Sequence, residues 1–201
     1  MDNTNNSPIK LKMKPKINLL GLSKYELSQT LTRLGVEKKE ISMREQQLFS
    51  WIHAHGKKSF DQMTNLSKEF RGLLYDNFSI FRPEIIDKQI SKDGTRKYLF
   101  KSENFGKFET VFIPEDNRGT ICISSQIGCT LNCSFCYTGT QKLVRNLEPY
   151  EIVGQITAVK DDLYDWGGKK NSSSKRVVSN IVVMGMGEPL YNFENIKKSL
   201  K

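Results

Sequence analysis

Four cysteines lie within fifteen residues near the middle of this 201-residue chain. Three of them, Cys129, Cys133 and Cys136, stand in the segment CTLNCSFC, at spacings of four and then three residues, and Cys122 precedes them. In a reducing cytosol such crowding favours metal binding or catalysis over a disulfide scaffold. A loop that presents three thiols to one centre restricts the surrounding backbone more than any other feature of the sequence does.

Four interpretations of this segment compete. A zinc site usually has two pairs of ligands, so Cys122 would have to be the fourth ligand. A redox C-x-x-C pair leaves Cys129 unexplained. Unrelated core cysteines rarely occur three within eight residues. The fourth interpretation is an iron–sulfur cluster, in which three thiolates leave one iron without a protein ligand. His53 and His55 are too distant in the sequence to be presumed ligands.

The charge of the chain bears on its partners. The formal net charge is +9, and a basic surface attracts polyanions such as nucleic acid through phosphate neutralisation. No apolar run is long enough for a membrane span, and the lysines of the N-terminus are not followed by the apolar block of a secretory signal. We therefore expect a cytoplasmic protein without a membrane partner.

The first part of the chain is predicted to be helical. Residues 1–16 are interpreted as a flexible basic arm and residues 17–82 as a helical domain. Ser23 and Glu26 have the spacing of a capping box, and Gly35 stops that helix. Ser42 and Glu45 repeat the start signal. The apolar positions expected to form a three-helix core are Leu27, Leu31, Leu34, Leu48, Phe49, Ile52, Leu66, Phe70, Leu73, Leu74 and Phe78.

Pro83 marks a change from helices to strands. Residues 83–114 are predicted to form a β-hairpin segment around the turn Asp93-Gly94, because Asp-Gly between alternating segments is a strong hairpin signal. The predicted strands are Ile85–Ile90, Lys97–Phe100, Phe108–Ile113 and Thr120–Ser124.

Residues 115–201 are predicted to begin a parallel α/β sheet, so that the fold class is α+β followed by α/β. Pro149 suits the first residue of a helix. The segment Gly167–Arg176 is interpreted as a flexible basic loop. The nearly all-apolar run Val177–Met184 predicts a strand buried on both faces, and Asn192 is expected to cap a further helix that ends at Leu200.

Two motifs together resemble the radical S-adenosylmethionine enzymes. The cysteine segment has the form C-x₃-C-x-Φ-C, where Φ is aromatic, and Phe135 is placed to exclude water. MGMGEP, residues 184–189, is similar to the GGEP-type segment of the same superfamily. The resemblance implies that Cys129, Cys133 and Cys136 hold a [4Fe–4S] cluster whose open iron binds S-adenosylmethionine. It also implies that Gly187 and Glu188 hold the methionine moiety of that cofactor.

Longer segments resemble one family, the dual-specificity RNA methyltransferases called RlmN. They are INLLGL, FDQMTNLSKEFR, FETVFIPEDNRGTICISSQIGCTLNCSFC and RNLEPYEIVGQI. The resemblance implies a partial (β/α)6 barrel whose first part is present, an accessory RNA-binding role for the helical domain, and an external electron donor. The implied reaction methylates carbon-2 of an adenosine in 23S rRNA and, in many members, of a tRNA adenosine.

The same resemblance assigns roles to two further residues. Glu109 matches the general base, and Cys122 matches the cysteine that resolves the protein–RNA adduct. Two equivalents of S-adenosylmethionine are implied, one to methylate a protein cysteine and one to generate the radical that activates this methyl group.

That methyl-carrying cysteine is expected near the C-terminus of a longer chain, and no cysteine follows Cys136. We therefore expect a C-terminally truncated member that is inactive alone. It is expected to be a monomer or to associate with a second chain that supplies the missing barrel. A non-catalytic RNA-binding or metal-binding fragment is the alternative. Carbon-8 chemistry, which a related subfamily performs, also stays open.

Overall fold

The computed structural model describes residues 15–116, 118–167 and 176–201. The predicted basic arm at residues 1–16 therefore lies almost entirely outside the described residues. The same is true of most of the predicted loop at residues 167–176.

The helical region contains three α-helices and two short strands. These are β1 (Ile17–Asn18), α1 (Lys24–Arg33), α2 (Lys38–Phe49), α3 (Lys68–Asn77) and β2 (Phe78–Ser79), with 3₁₀ turns at Leu19–Gly21 and Phe60–Gln62 and a π-helical turn at Ser50–Ala54. β1 and β2 pair in parallel, which joins the two ends of the region.

The predicted start of α1 is confirmed. The Ser23 hydroxyl accepts a hydrogen bond from the Glu26 amide at 3.3 Å, and the Glu26 carboxylate accepts one from the Ser23 amide at 3.0 Å. Gly35 follows the helix with a φ of +89°, a left-handed conformation that glycine adopts without steric cost.

The predicted start of α2 at Ser42 is wrong. The helix begins at Lys38, with Glu37 as its N-cap and no capping bond from a side chain, so that Ser42 lies in its interior. Because Gly35 turns the chain immediately after α1, the next helix begins within a few residues. Burial of Leu48 and Ile52 then stabilises α2 without the cap.

One apolar cluster fills the helical region. Most of the predicted core positions are buried there, whereas Leu73 is 39% exposed. The fully or almost fully buried members are Leu19, Leu20, Leu27, Leu31, Leu48, Ile52, Phe60, Met63, Leu66, Leu74, Phe78 and Ile80.

A five-stranded sheet follows. Its strands are β3 (Glu84–Ile90), β4 (Arg96–Lys101), β5 (Lys107–Glu115), β6 (Arg118–Cys122) and β9 (Asn180–Val182), in the order β3-β4-β5-β6-β9. β3 and β4 form the antiparallel hairpin predicted at Asp93-Gly94. β4 with β5 and β5 with β6 are also antiparallel, whereas β9 pairs with β6 in parallel. A second, two-stranded antiparallel ladder joins β7 (Gln126–Ile127) to β8 (Arg145–Asn146).

Helix α4 (Pro149–Asp162) connects the parallel strands and covers one face of the sheet. Pro149 is its first residue, as predicted. Its apolar face packs inward, with Ile152 and Val159 buried. The last helix is α5 (Phe193–Ser199). Asn192 stands at its N-cap position, but its amide donates to the carbonyls of Ser125 and Leu147 instead of capping the helix.

The predicted strand at residues 177–184 is partly corrected. Only three of these residues form β9, and Ile181 is 45% exposed. Within the described residues β9 pairs with one neighbour only, so it is an edge strand. The exposure of Ile181 shows that its two faces are not both buried.

The two apolar clusters meet along α4. A Cβ on Gly21 would lie 2.5 Å from the Tyr150 amide nitrogen, and a Cβ on Gly154 would lie 2.4 Å from Pro83 Cδ. Arg82 forms a largely buried ion pair with Asp161.

The chain mixes helices and sheets. No helix among the described residues is long and apolar enough to cross a membrane.

Candidate functional site

The two sequence motifs lie beyond the carboxyl ends of neighbouring parallel strands. The cysteine segment follows β6 by way of β7, and residues 184–189 follow β9. Backbone bonds tie the two exits together, since the Ser125 and Gln126 amides both donate to the Met186 carbonyl, at 2.9 and 3.2 Å. In open α/β sheets, ligands bind at this edge.

The cysteine loop is ordered mainly by backbone contacts. The Cys129 amide donates to the Gln141 carbonyl at 3.3 Å, and Cys129 forms an isolated bridge with Lys142. The Cys136 amide donates to the Cys133 carbonyl at 3.1 Å. Just before the loop, Gly128 has a φ of +76°, and a Cβ there would lie 2.1 Å from the Lys142 carbonyl oxygen. Only glycine fits that approach.

The thiols have the chemistry of a cluster ligand set. All four cysteines are free and half-buried, and the Leu131 amide donates to the Cys129 sulfur at 3.4 Å. In the described parts of the chain, no three His, Cys, Asp or Glu side chains are arranged to hold a metal ion. The three cysteines fit an iron–sulfur centre by donor type and by their spacing in the sequence, and not by a converged arrangement of the thiols. Phe135 is 90% exposed, so it does not shield the thiols as predicted.

The turn at residues 184–189 is shaped by two close glycine contacts. A Cβ on Gly185 would lie 2.8 Å from the Ile123 carbonyl, and one on Gly187 would lie 2.4 Å from Gln126 Cβ. Gly187 also has a φ of +89°. Beyond it, the half-buried Glu188 carboxylate accepts a hydrogen bond from the Leu190 amide at 3.2 Å.

Glu109 and Cys122 lie on one face of the sheet. Val111 of β5 pairs with Cys122 of β6, and Glu109 is two positions from Val111, so all three project to the face opposite α4. Each is half-buried. The Glu109 carboxylate pairs with the Lys97 ammonium at 2.8 Å, with both side chains 40–45% exposed, so this pair contributes little stability.

The environment of Cys122 favours the protonated thiol. Burial raises the pKa of Cys122, and a hydrogen bond from the Met184 amide partly offsets that effect. Of the predicted site residues, Cys122 pairs with Val182 of β9, the strand that leads into the 184–189 turn. The contacts of Glu109 are with Lys97 and, through its backbone carbonyl, with Ser124.

Sequence reasoning missed a set of buried polar residues behind the site. Ser124 donates to the Glu109 carbonyl and accepts from the Met186 amide at 2.9 Å. Gln155 of α4 accepts from the Thr110 hydroxyl and the Ser124 amide, both at 2.7 Å. The available signal was the polar run Ser124-Ser125-Gln126 between Ile123 and Ile127, since buried polar groups require defined partners.

Gln126 is the third missed residue, and it contacts both motifs. It is fully buried. Its carbonyl oxygen accepts from the Glu188 amide at 3.1 Å, and its amide nitrogen donates to Thr130 at 3.3 Å and to Asn146 at 2.8 Å.

Comparison with known proteins assigns this site to a family. Residues 17–80 match the family model described as the ribosomal RNA large subunit methyltransferase N-terminal domain. A protein of Paracoccus denitrificans named dual-specificity RNA methyltransferase RlmN is 54% identical over 187 residues, which cover 92% of this chain and 47% of the relative. A protein of the same name from Cereibacter sphaeroides is 51% identical over 197 residues, covering 96% of this chain and 50% of the relative.

A solved structure agrees with these matches. A radical SAM methyltransferase from Sphaerobacter thermophilus superposes with a TM-score of 0.79 at 33% identity, covering 92% of this chain and 51% of that protein. The chain spans about half the length of the curated relatives it matches. Over that span the similarity is continuous from the helical region through both motifs, and the chain belongs to the family of dual-specificity RNA methyltransferases named RlmN.

Proposed function

We propose that this chain serves in RlmN-type methylation of RNA, at carbon-2 of an adenosine in 23S rRNA and in tRNA. The observation that carries the proposal is the placement of two motifs, CTLNCSFC and MGMGEP, beyond the carboxyl ends of the parallel strands β6 and β9. Relatives named RlmN that are 50–54% identical support it. In this proposal β6, α4, β9 and α5 are the opening of a partial (β/α)6 barrel.

Cys129, Cys133 and Cys136 would hold a [4Fe–4S] cluster, and Gly187 with Glu188 would hold the methionine moiety of S-adenosylmethionine. When bound, the cluster supplies the electron for reductive cleavage of S-adenosylmethionine, and an external electron donor replenishes it. Gln126 fills the space where a side chain at Gly187 would lie, so Gly187 would meet a ligand only through its backbone atoms.

Glu109 and Cys122 would act on the proton and on the covalent adduct. A carboxylate with 41% of its surface exposed is accessible as a general base once substrate is within hydrogen-bond reach. The raised pKa of Cys122 keeps a proton on its thiol at neutral pH. Resolution of an RNA adduct by Cys122 therefore requires that a base remove this proton first. A methyl-cysteine relay would supply the carbon.

The helical domain would contact RNA. The proposed division is a basic arm at residues 1–16, an RNA-binding domain at 17–82, a hairpin linker at 83–114 and the catalytic core from 115 onward. The net charge of +9 supports a polyanionic partner. A cytoplasmic location is part of the same proposal, because the RNA substrates and reduced thiols both belong there.

Anaerobic reconstitution with iron and sulfide tests the proposed cofactor. We expect the absorbance and spin-resonance spectrum of a [4Fe–4S] cluster, and a change in the spectrum when S-adenosylmethionine is added. Cys133→Ser should abolish the cluster, whereas Cys122→Ser should retain it and serves as the matched control. Tight binding of one zinc ion without any response to S-adenosylmethionine would refute the proposal.

The reaction is tested by its product. The chain is incubated with S-adenosylmethionine, a reductant and a fragment of 23S rRNA or a tRNA, and the digested RNA is examined by mass spectrometry. No cysteine follows Cys136, so we expect no methylated adenosine from this chain alone, and its appearance would overturn the predicted inactivity. With a second chain that supplies the rest of the barrel and a methyl-carrying cysteine, we expect 2-methyladenosine, lost in Glu109→Gln. Formation of 8-methyladenosine instead contradicts the proposed regiochemistry. Salt-dependent RNA binding with a reconstituted cluster, and no methylated base even with that second chain, favours a non-catalytic RNA-binding role.

A further inference from the structure

The side chain of Gln126 uses its hydrogen-bonding groups on three separate segments. The oxygen accepts from the backbone amide of Glu188, in the MGMGEP turn. One N–H group points to the hydroxyl of Thr130, the residue after Cys129, and the other to the side-chain oxygen of Asn146 on β8. An amide has two N–H donors and one oxygen acceptor group, so this side chain is satisfied on both sides at once.

The steric contacts place the same side chain beneath the turn. A Cβ on Gly187 would come within 2.4 Å of Gln126 Cβ, 2.6 Å of Cγ and 2.8 Å of Oε1. The left-handed residue of the turn, with φ +89°, therefore lies directly against the length of the Gln126 side chain. Movement of Gln126 has to displace the turn, and movement of the turn has to displace Gln126.

Asn146 extends this contact to the far side of the turn. It pairs with Gln126 across the β7–β8 ladder, and its own amide donates to the Tyr191 carbonyl at 3.2 Å. The loop, the ladder and the segment after the turn are thus joined through one buried side chain. A buried amide without partners is costly, and an apolar residue would fill the same space without joining any of these segments.

We propose that Gln126 is a positioning residue that makes the cysteine loop and the 184–189 turn move as one unit. Its side-chain hydrogen bonds go to Thr130, Asn146 and Glu188 and not to a thiol, and it is not itself a catalytic residue. Its meaning for catalysis rests on the proposed function, because in that reaction one segment holds the cluster and the other holds its ligand. The mechanical coupling is a property of the chain alone and is testable without any cofactor.

Hydrogen exchange by mass spectrometry on the cofactor-free chain tests the coupling from both ends. Gln126→Met removes all three hydrogen bonds at nearly constant volume, and we expect exchange to accelerate about fivefold to tenfold in both residues 129–142 and residues 185–191. Thr130→Val removes only the loop contact and should accelerate only the first segment. Exchange in the helical region, residues 17–80, should stay unchanged. An increase there would indicate a general loss of folding.

The reciprocal variant is Gly187→Ala, which pushes on Gln126 from the turn. If the coupling holds, exchange must rise in residues 129–142 as well as in the turn itself. Gly35→Ala, at the same φ but with no atom within 4 Å of the added Cβ, is the matched control and should leave both segments unchanged. An effect of Gly187→Ala confined to the turn, or of Gln126→Met confined to one segment, overturns the proposal even where the other variant does not fold.

A spectroscopic readout separates this inference from the proposed function. In the reconstituted chain, Gln126→Met should bind the same amount of iron but require at least about tenfold more S-adenosylmethionine to change the cluster spectrum. Unaltered half-saturation in Gln126→Met contradicts a positioning role. Absence of any cluster in the unsubstituted chain would refute the proposed function, and the exchange result would still decide the coupling.

Discussion

The helical region and the cysteine site are ordered by different physical means. Between Leu19 and Ile80, apolar side chains enclose a core in which Leu31, Leu48 and Leu74 have no exposed surface. Around the cysteines, several large apolar side chains are exposed, namely Phe135 at 90%, Tyr137 at 82% and Met184 at 79%. That site is held instead by backbone bonds, close glycine contacts and a buried amide.

The difference indicates where stability resides and where change is tolerated. Burial of apolar surface is non-directional and supplies most of the free energy of folding. A site built from hydrogen bonds and close backbone contacts is less stable locally, but it fixes the positions of specific atoms. We therefore expect substitutions in the helical region to change the stability of the fold, and substitutions in the site to change local order.

The largest effect on stability is expected from truncation of the helical core. Leu74→Ala should lower the free energy of unfolding by about 2–5 kcal/mol, because it removes buried methyl groups and leaves a cavity. Leu73→Ala, the neighbouring residue on α3 with 39% exposure, is the control and should cost less than about 1 kcal/mol. Denaturant titration followed by circular dichroism measures both, and equal losses would contradict a sealed core.

The pH dependence of the helical region is expected to be the next largest effect. Burial, with the nearby positive charge of Arg82, lowers the pKa of His53 from 6.5 to about 4. As the pH falls from about 6.5 to about 4, the unfolded chain binds a proton there that the folded chain does not. Stability should therefore decrease by up to about 3 kcal/mol across that range.

Thermal unfolding between pH 7 and pH 4 measures this loss. His53→Gln should flatten the dependence, and His55→Gln, at an exposed ring two residues further on, is the matched control. A dependence that survives His53→Gln unchanged would assign it to other groups.

Two glycines with the same backbone angle compare the two regions directly. Gly35 and Gly187 both have a φ of +89°, but a Cβ meets nothing within 4 Å at Gly35 and meets Gln126 at 2.4 Å at Gly187. Gly35→Ala should cost about 1–2 kcal/mol of backbone strain. Gly187→Ala adds a clash to that strain, and the turn should relieve both by opening locally.

We therefore expect Gly187→Ala to change the unfolding midpoint less than Gly35→Ala while it raises amide exchange at residues 185–191 more. Unfolding curves together with local exchange rates measure the contrast. A loss of global stability in Gly187→Ala as large as that in Leu74→Ala would show that the turn belongs to the folding core.

The smallest effect on stability is expected from Phe135→Ala. Phe135 lies between Cys133 and Cys136 in the sequence, but its side chain is 90% exposed. Its removal should therefore change the free energy of unfolding by less than about 0.5 kcal/mol. Thermal unfolding of the cofactor-free chain measures it. A loss above 1 kcal/mol would mean that Phe135 packs in solution, as the sequence had predicted.

Local signals in the sequence determined much of the secondary structure. The Ser23–Glu26 capping box, the stop at Gly35, the Asp93-Gly94 hairpin and Pro149 at the first position of α4 are all observed. These signals act over a few residues, through hydrogen bonds and allowed backbone angles that do not depend on the rest of the fold. Ser42 is not a helix start, because Gly35 turns the chain after α1 and α2 already begins at Lys38.

Residue types and spacing identified Cys129, Cys133 and Cys136 as a candidate ligand set, and the resemblance to the radical S-adenosylmethionine enzymes added the MGMGEP segment as its partner. Only the tertiary structure showed that Glu109 and Cys122 lie on one face of the sheet and that β9 is an edge strand. It also showed that Gln126 lies between the cysteine loop and the 184–189 turn. Gln126 and Glu188 are 62 residues apart in the chain. Contacts at that separation depend on the pairing of β6 with β9, which no local pattern encodes.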